Sequence, residues 1–338
     1  MSGRIERHWY RPKPWLTALL APLAGLFALL ATLRRCLFQS GVLRVHKVAR
    51  PVVVIGNINV GGVGKTPLTQ SLIARFAEEG VKVGVVSRGY GGDHVRPTLV
   101  GPEHTPAQVG DEPLLIAATS VPVVVGRDRV AAAEALIAAH PELDLILSDD
   151  GLQHYRLGRD LEVVVVDGAR GFGNGCLLPN GPLREPPGRL RRADALVING
   201  AGCATLAERL PDELPKFVMR LAPERFVALA DPSATRRAAD FAGEKVVALA
   251  GIGHPERFFA TLASLGIEPA RTLAFPDHHA FVPGDIPQDA DAVLVTAKDA
   301  VKLRAVNHAK LWVLPVAARV EPDLAGWILR TLKIPHGR

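Results

Sequence analysis

The sequence predicts an α/β fold of two α/β/α domains, P-loop and Rossmann-like, joined by a two-stranded β linker and preceded by an N-terminal membrane-associated helix. Three observations predict it. Short, almost wholly apolar runs recur between helical stretches in both halves of the chain, the pattern of parallel sheets covered on both faces. Residues 52–66, VVVIGNINVGGVGKT, pass from four β-branched residues through a glycine-rich turn into a helix. Residues 15–33 contain no charge, while basic side chains stand on both sides of them.

The first 50 residues carry nine Lys or Arg against Glu6 alone, a net +8 in a chain whose total is +6. The positive charge therefore brackets the apolar run and does not form a broad basic surface, which argues against nucleic acid as a partner. As a helix, residues 15–33 are roughly 28 Å long, close to the roughly 30 Å of a bilayer's hydrocarbon core. Pro22 and Gly25 interrupt the run, and Tyr10 and Trp15 border it, where amphipathic rings favour the interface. A span and a helix lying along the inner face both fit, and the flanking cations suit anionic headgroups. A buried core helix is the other reading of this length. Arg34 and Arg35 close the run with no small-residue cleavage site after them, unlike a signal peptide. Cys36, Cys176 and Cys203 show neither pairing nor zinc-like spacing, which points to a reducing compartment.

Residues 52–55 read as a buried strand. Pro67 opens an amphipathic helix with Leu68, Leu72, Ile73 and Phe76 on one face, so Asn59, Val60, Gly61, Gly62, Val63, Gly64, Lys65 and Thr66 lie between a strand and a helix N-terminus. That is a phosphate cradle. Glycines let backbone N–H groups converge on an anion, Lys65 reaches the β- and γ-phosphates of a nucleotide, and Thr66 can ligate magnesium. Asn59 stands where the strict pattern has glycine, and asparagine tolerates left-handed backbone angles better than most residues.

Residues 81–86 form the next strand and place Ser87, Arg88 and Tyr90 beyond its carboxyl end, where open α/β sheets bind ligands. Asp111 and Glu112 precede a helical run at 114–118, a position that helix capping alone also explains. After a strand at 121–125, Arg127 and Arg129 lie beside the same sheet edge, and a helix covers 131–139. The strand at 143–147 runs into SDDGLQH. An acidic pair after a hydrophobic strand, downstream of a phosphate loop, is the arrangement that holds magnesium, which assigns Asp149 and Asp150 with Gln153 and His154 in reach.

A strand at 161–166 is followed by residues 168–187, a glycine- and proline-rich stretch with no apolar period. A loop of this length inside a compact domain is functional or disordered; Arg184 and Glu185 favour a functional one. Residues 195–198 read as a strand and 206–210 as a short helix. FVMRL and RFVALA, joined by APE, read as a hairpin over 216–231. Alternation then restarts, with strands at 246–250, 271–275, 292–296 and 311–314 and helices at 255–265, 299–305 and 324–332. The expected division is a hydrophobic, basic segment at 1–48, a nucleotide-binding domain at 49–214, a β-hairpin linker at 215–242 and a second α/β domain at 243–338. Asp277, His278 and His279 follow a strand of that second domain, where a carboxylate beside an imidazole suits proton handling. Thr296, Lys298 and Asp299 sit at another strand end, with Asp299 a sufficient helix cap.

Taken together, GNINVGGVGKTP, SRGYGG, GDEP, SDDGLQH, FGNGCLLPNGPLREP, FPDHHAF and TAKDAVK resemble, in order and over almost the whole chain, the tetraacyldisaccharide 4'-kinase family of lipid A biosynthesis. The resemblance implies an ATP- and Mg2+-dependent lipid kinase that phosphorylates the 4'-hydroxyl of an acylated disaccharide 1-phosphate. It implies a location at the lipid surface of the bacterial inner membrane, on the cytoplasmic face. Carried over residue by residue, it makes Asp111 the catalytic base with His278 assisting and residues 59–66 the ATP loop. Thr66, Asp149, Asp150 and Gln153 become metal positions, and Ser87, Tyr90, Glu112, Arg129, Arg184 and Glu185 substrate-site candidates. Asn180 stands where alanine is more usual, and Ala297 where glutamate is. The competing class is a membrane-recruited ATPase switch of the deviant Walker type, although Val60 occupies the place of that class's signature lysine.

Overall fold

A computed structural model describes residues 2–306 and 308–336; Met1, Asn307, Gly337 and Arg338, which fall in the expected first and last segments, lie outside the described residues. Two helices open the chain, α1 (Ser2–Tyr10) and α2 (Pro14–Gln39). None of α2 is buried, and Trp15, Leu19, Leu23, Leu26, Leu29, Leu30 and Leu33 face outward. The helix is long and apolar enough to cross a membrane.

The α/β alternation follows as β1 (Val52–Gly56), α3 (Lys65–Glu78), β2 (Val83–Ser87), β3 (Thr98–Leu99), α4 (Pro106–Val109), α5 (Asp111–Ala117), β4 (Val123–Val125), α6 (Arg129–Ala139), β5 (Leu145–Asp149), β6 (Leu161–Asp167), β7 (Ala195–Asn199), α7 (Ala204–Ala207) and β8 (Lys216–Pro223). It continues as β9 (Phe226–Ala228), β10 (Thr235–Arg236), β11 (Val246–Ala250), α8 (Pro255–Ser264), β12 (Arg271–Ala274), β13 (Ala292–Thr296), α9 (Ala297–Leu303), β14 (Leu311–Leu314), β15 (Val316–Glu321) and α10 (Leu324–Leu332).

Nine strands form one sheet in the order β15-β8-β7-β6-β1-β5-β2-β4-β3, parallel from β8 to β4 with an antiparallel strand at each edge. Alternation along β1 decides which helix covers which face. Val53 and Ile55 pack with Leu68, Leu72 and Phe76 of α3 and Ile328 of α10; Val52 and Val54 pack with Val130 and Leu136 of α6 on the other side. Burying each such aliphatic side chain contributes about 1.5–3 kcal/mol, so a polar substitution at any one of them would weaken the layer that it faces. Because the chain leaves β1 toward α3 between neighbours β5 and β6, the glycine turn sits where the strand order reverses, the usual ligand crevice of such sheets. A second, six-stranded sheet, β10-β9-β14-β13-β11-β12, is covered by α8 on one face and α9 on the other.

The expected hairpin over 216–231 does not form. β8 joins the first sheet and β9 the second, and each pairs with the returning chain: β8 with β15, β9 with β14, and Glu224 N–H donates to Pro315 C=O between them. A turn signal marks where the chain bends but not which strand satisfies its backbone, and the partner is some 90 residues away in sequence. Consequently β15 and α10, expected in the second domain, pack on the first sheet.

Several strands also run further than hydrophobicity suggests. β2 extends to Ser87 and β5 to Asp149, because pairing of Ile55 with Asp149 and of Ser87 with Val125 continues after the apolar residues stop. The two polar residues are thus held rigidly at strand ends. α3 begins at Lys65, so Pro67 lies in its first turn, where a missing N–H costs nothing.

Candidate active site

Gly61 and Gly64 adopt left-handed backbone angles, φ 97° and 95°, which turn the chain from β1 onto α3. A Cβ on Gly64 would meet Asn199 Nδ2 at 2.6 Å, so only glycine fits there. Asn59 is not left-handed. Its buried amide donates to the Gly171 carbonyl at 2.8 Å, and residue 59 bridges to Leu183. Val60 N–H donates to Pro182 C=O, and Arg184 N–H to Ile58 C=O. Residues 168–187 therefore lie along the glycine turn as an ordered wall, with Arg170 also donating to the Gly62 carbonyl.

Lys65 Nζ lies 3.3 Å from Asp150 Oδ1 and 3.1 Å from Asn57 Oδ1. Arg184 approaches the other Asp150 oxygen at 3.3 Å. Burial works to raise the Asp150 pKa, yet the Lys65 and Arg184 charges outweigh it and bring the carboxyl down to about 2. Asp149 is almost inaccessible; Ser87 Oγ donates to its Oδ2 at 3.4 Å. Its pKa is raised, first by burial and then by the nearby Glu112 carboxylate.

Asp111 opens α5. Its Oδ1 accepts from Glu112 N–H at 2.9 Å, a local capping role, and its Oδ2 lies 2.9 Å from His278 Nδ1. Asp111 is 4% exposed. Burial tends to raise its pKa, but the His278 hydrogen bond and the Lys298 charge together hold it below its ordinary value. The same hydrogen bond raises His278, with burial and Lys298 opposing. His278 has φ 61°, and its ring lies 5.4 Å from that of the exposed Tyr90.

The other expected site residues fall into two groups. Glu112, like Tyr90, borders the Asp–His pair. Arg129 and Glu185 instead support the frame, with Gln153 bound to Glu185 through its amide nitrogen. Buried Arg129 donates to the carbonyls of Gly126 and Asp149, and burial brings its pKa down to about 10. Glu185 accepts from Gln153 Nε2 at 2.7 Å and Tyr155 Oη at 2.6 Å and pairs with Arg189.

Asp299 does not cap α9 by itself: Thr296 Oγ accepts its N–H, while its carboxylate sits fully buried against Gly251 N–H and Lys302. Asn57, Asn199 and Lys298 join these residues without a site role expected from the sequence. Lys298 lies 3.1 Å from Asp277, 3.5 Å from Glu112 and 3.7 Å from Asp111. Its only signal in the sequence is its place just after a strand, in TAKD.

A glycine turn with its lysine at the switch point of a parallel sheet, and a carboxylate–imidazole contact between the layers of the two sheets, match a phosphotransferase of the P-loop class. Comparison with known proteins narrows the class. The family model LpxK, tetraacyldisaccharide-1-P 4'-kinase, matches residues 16–333. A tetraacyldisaccharide 4'-kinase of Chromobacterium violaceum is 66% identical, covering 99% of each chain, and one of Neisseria meningitidis is 46% identical over 97% of this chain and 95% of its own. The crystal structure of an "apo" form of LpxK from Aquifex aeolicus in complex with ATP superposes with a TM-score of 0.77 at 28% identity, covering 94% of this chain and 99% of that one. The chain belongs to the LpxK family of tetraacyldisaccharide-1-phosphate 4'-kinases, the ATP-dependent kinases of lipid A biosynthesis.

Proposed function

We propose that the chain binds ATP on residues 59–66 and transfers its γ-phosphate to the 4'-hydroxyl of an acylated disaccharide 1-phosphate, working at the cytoplasmic face of the inner membrane. The observation that carries this reading is the 2.9 Å Asp111–His278 contact. It presents a proton acceptor beside Glu112, whose charge is felt at Asp149 next to the phosphate turn.

In the reaction the pair takes the proton of the 4'-hydroxyl, the freed oxygen forms a bond to Pγ, the Pγ–O bond to the β-phosphate breaks, and ADP leaves. Lys65 exchanges Asp150 for the β- and γ-phosphates, and Arg184 is near enough to share the transferring charge. Such transfer is mainly positioning and electrostatics, so these cations contribute more than the base.

Thr66, Asp149, Asp150 and Gln153 would hold magnesium, which when bound neutralises the phosphate oxygens. The residues fit: Asp149 Oδ1 is buried with no hydrogen-bond partner. Among the described residues no three His, Cys, Asp or Glu side chains cluster as a complete metal site. That suits an ion which borrows most of its ligands from phosphate and water.

The outward apolar face of α2 and the basic residues around it support insertion among anionic lipids. The same reading divides the chain into two units, one around each sheet, linked by the ribbon of β8 and β9 against β15 and β14.

Purified protein given γ-labelled ATP, magnesium and a tetraacylated disaccharide monophosphate tests the reading. Label entering the glycolipid supports it. Label released only as inorganic phosphate contradicts it and favours an ATPase switch.

A further inference from the structure

Lys298 has three carboxylates within 3.7 Å, and they come from elements of both sheets' layers: Asp111 and Glu112 on α5, Asp277 in the loop after β12. Its own helix, α9, covers the second sheet. Lys302, one turn further, is the other cation near Asp111, but it is committed to Asp299 at 2.7 Å and to the Gly251 carbonyl at 2.8 Å. The groups facing the Asp111–His278 pair are thus Lys298 and Lys302 from α9, Asp277 from the loop that carries His278, Glu112 from α5 and the Tyr90 ring from the loop after β2.

Asp111 and Asp277 beside the His278 imidazole, with Glu112 next to Asp111 in the chain, would by themselves favour a protonated pair, which cannot accept a further proton at neutral pH. A cation among them shifts the balance the other way. We propose that Lys298 is a positioning residue of the kinase reaction: it ties the carboxylates of α5 and of the loop after β12 together and weakens the hold of the Asp111–His278 pair on a proton, so that the pair can take that of the acceptor alcohol.

Burial works against the Lys298 ammonium, yet Glu112, Asp111 and Asp277 outweigh it and raise its pKa, so the charge persists through the working range. The sign of the effect does not depend on which member of the pair holds the proton. Lys298 opposes protonation of both, so its loss moves both titrations upward.

The inference rests on the kinase reading above, and the experiment separates the two. kcat/KM for the tetraacylated disaccharide monophosphate is measured from pH 5 to 9 for wild type, Lys298→Met, Lys298→Gln and Lys298→Arg, and the His278 ring protons are titrated by NMR without substrate. For Met and Gln the acid limb is expected to move up by about one pH unit, with kcat/KM on that limb down by up to about tenfold and the His278 titration rising in step. Arg is expected to restore the limb. Methionine and glutamine serve as alternatives, so that one misfolded variant does not remove the test. A limb and a ring titration that stay in place, whether rate is lost evenly at every pH or not at all, overturn the proposal. Wild type that leaves the glycolipid unlabelled overturns the kinase reading instead.

Discussion

His278 Nδ1 stands 2.9 Å from Asp111 Oδ2, and this one contact joins the first residue of α5, against the nine-stranded sheet, to the loop that leaves β12 of the six-stranded sheet. Either residue alone has a bland reading, a helix cap or a surface imidazole. Their pairing is what supports the proposed proton acceptor.

The contact carries a pH signature in stability. His278 is raised in the folded protein, so its stabilising contribution is full below the unfolded value near 6.5 and is lost as pH rises through the folded value. Asp111 is lowered, so its contribution is present above about 3.9 and is lost as pH falls through the folded value. The thermal midpoint of wild type should therefore exceed that of His278→Ala by more at pH 5.5 than at pH 8.5. A difference independent of pH would count against an Asp111–His278 ion pair.

Lys65→Ala should be nearly inactive and should bind ATP more weakly, since Lys65 is the cation at the end of the glycine turn proposed to hold the phosphates. It should also leave Asp150 with Arg184 as its remaining cationic partner. Wild-type rates, measured by ADP release with the lipid acceptor, would remove the phosphate-cradle assignment.

Asn180 shows how the N-terminal helices are fastened. Lys13 N–H donates to His8 Nδ1 at 3.0 Å, which fixes the neutral ring's proton on Nε2; that proton goes to Asn180 Oδ1 at 3.0 Å, and Asn180 Nδ2 donates to the Thr17 carbonyl of α2. His8 and Asn180 are both nearly inaccessible. Asn180→Ala strands the buried His8 Nε2–H, and thermal or denaturant unfolding should show a loss of about 1–3 kcal/mol. An unchanged midpoint would mean that the wall formed by residues 168–187 does not hold these helices.

Much of this was legible in the sequence because local chemistry carried it. The strand–turn–lysine run, the Asp149–Asp150 pair after an apolar strand and the uncharged stretch in α2 all report their structure within a few residues. What escaped was long-range. Asn59 fills a glycine position by bonding to Gly171, a partner 112 residues away, not by adopting an unusual backbone angle. β8 and β15 pair across the length of a domain, which no turn signal encodes. Lys298 acquires meaning only when carboxylates from two sheets converge on it.

The central claim is that Asp111 and His278 act as one catalytic unit across the crevice. A double-mutant cycle on kcat/KM for the lipid acceptor, using Asp111→Ala, His278→Ala and the double variant, tests it most directly. Asp111→Ala should cost about a hundredfold or more while leaving ATP affinity intact, and the double variant should cost little beyond the worse single one. Losses that multiply, as they do for independent residues, would contradict the account.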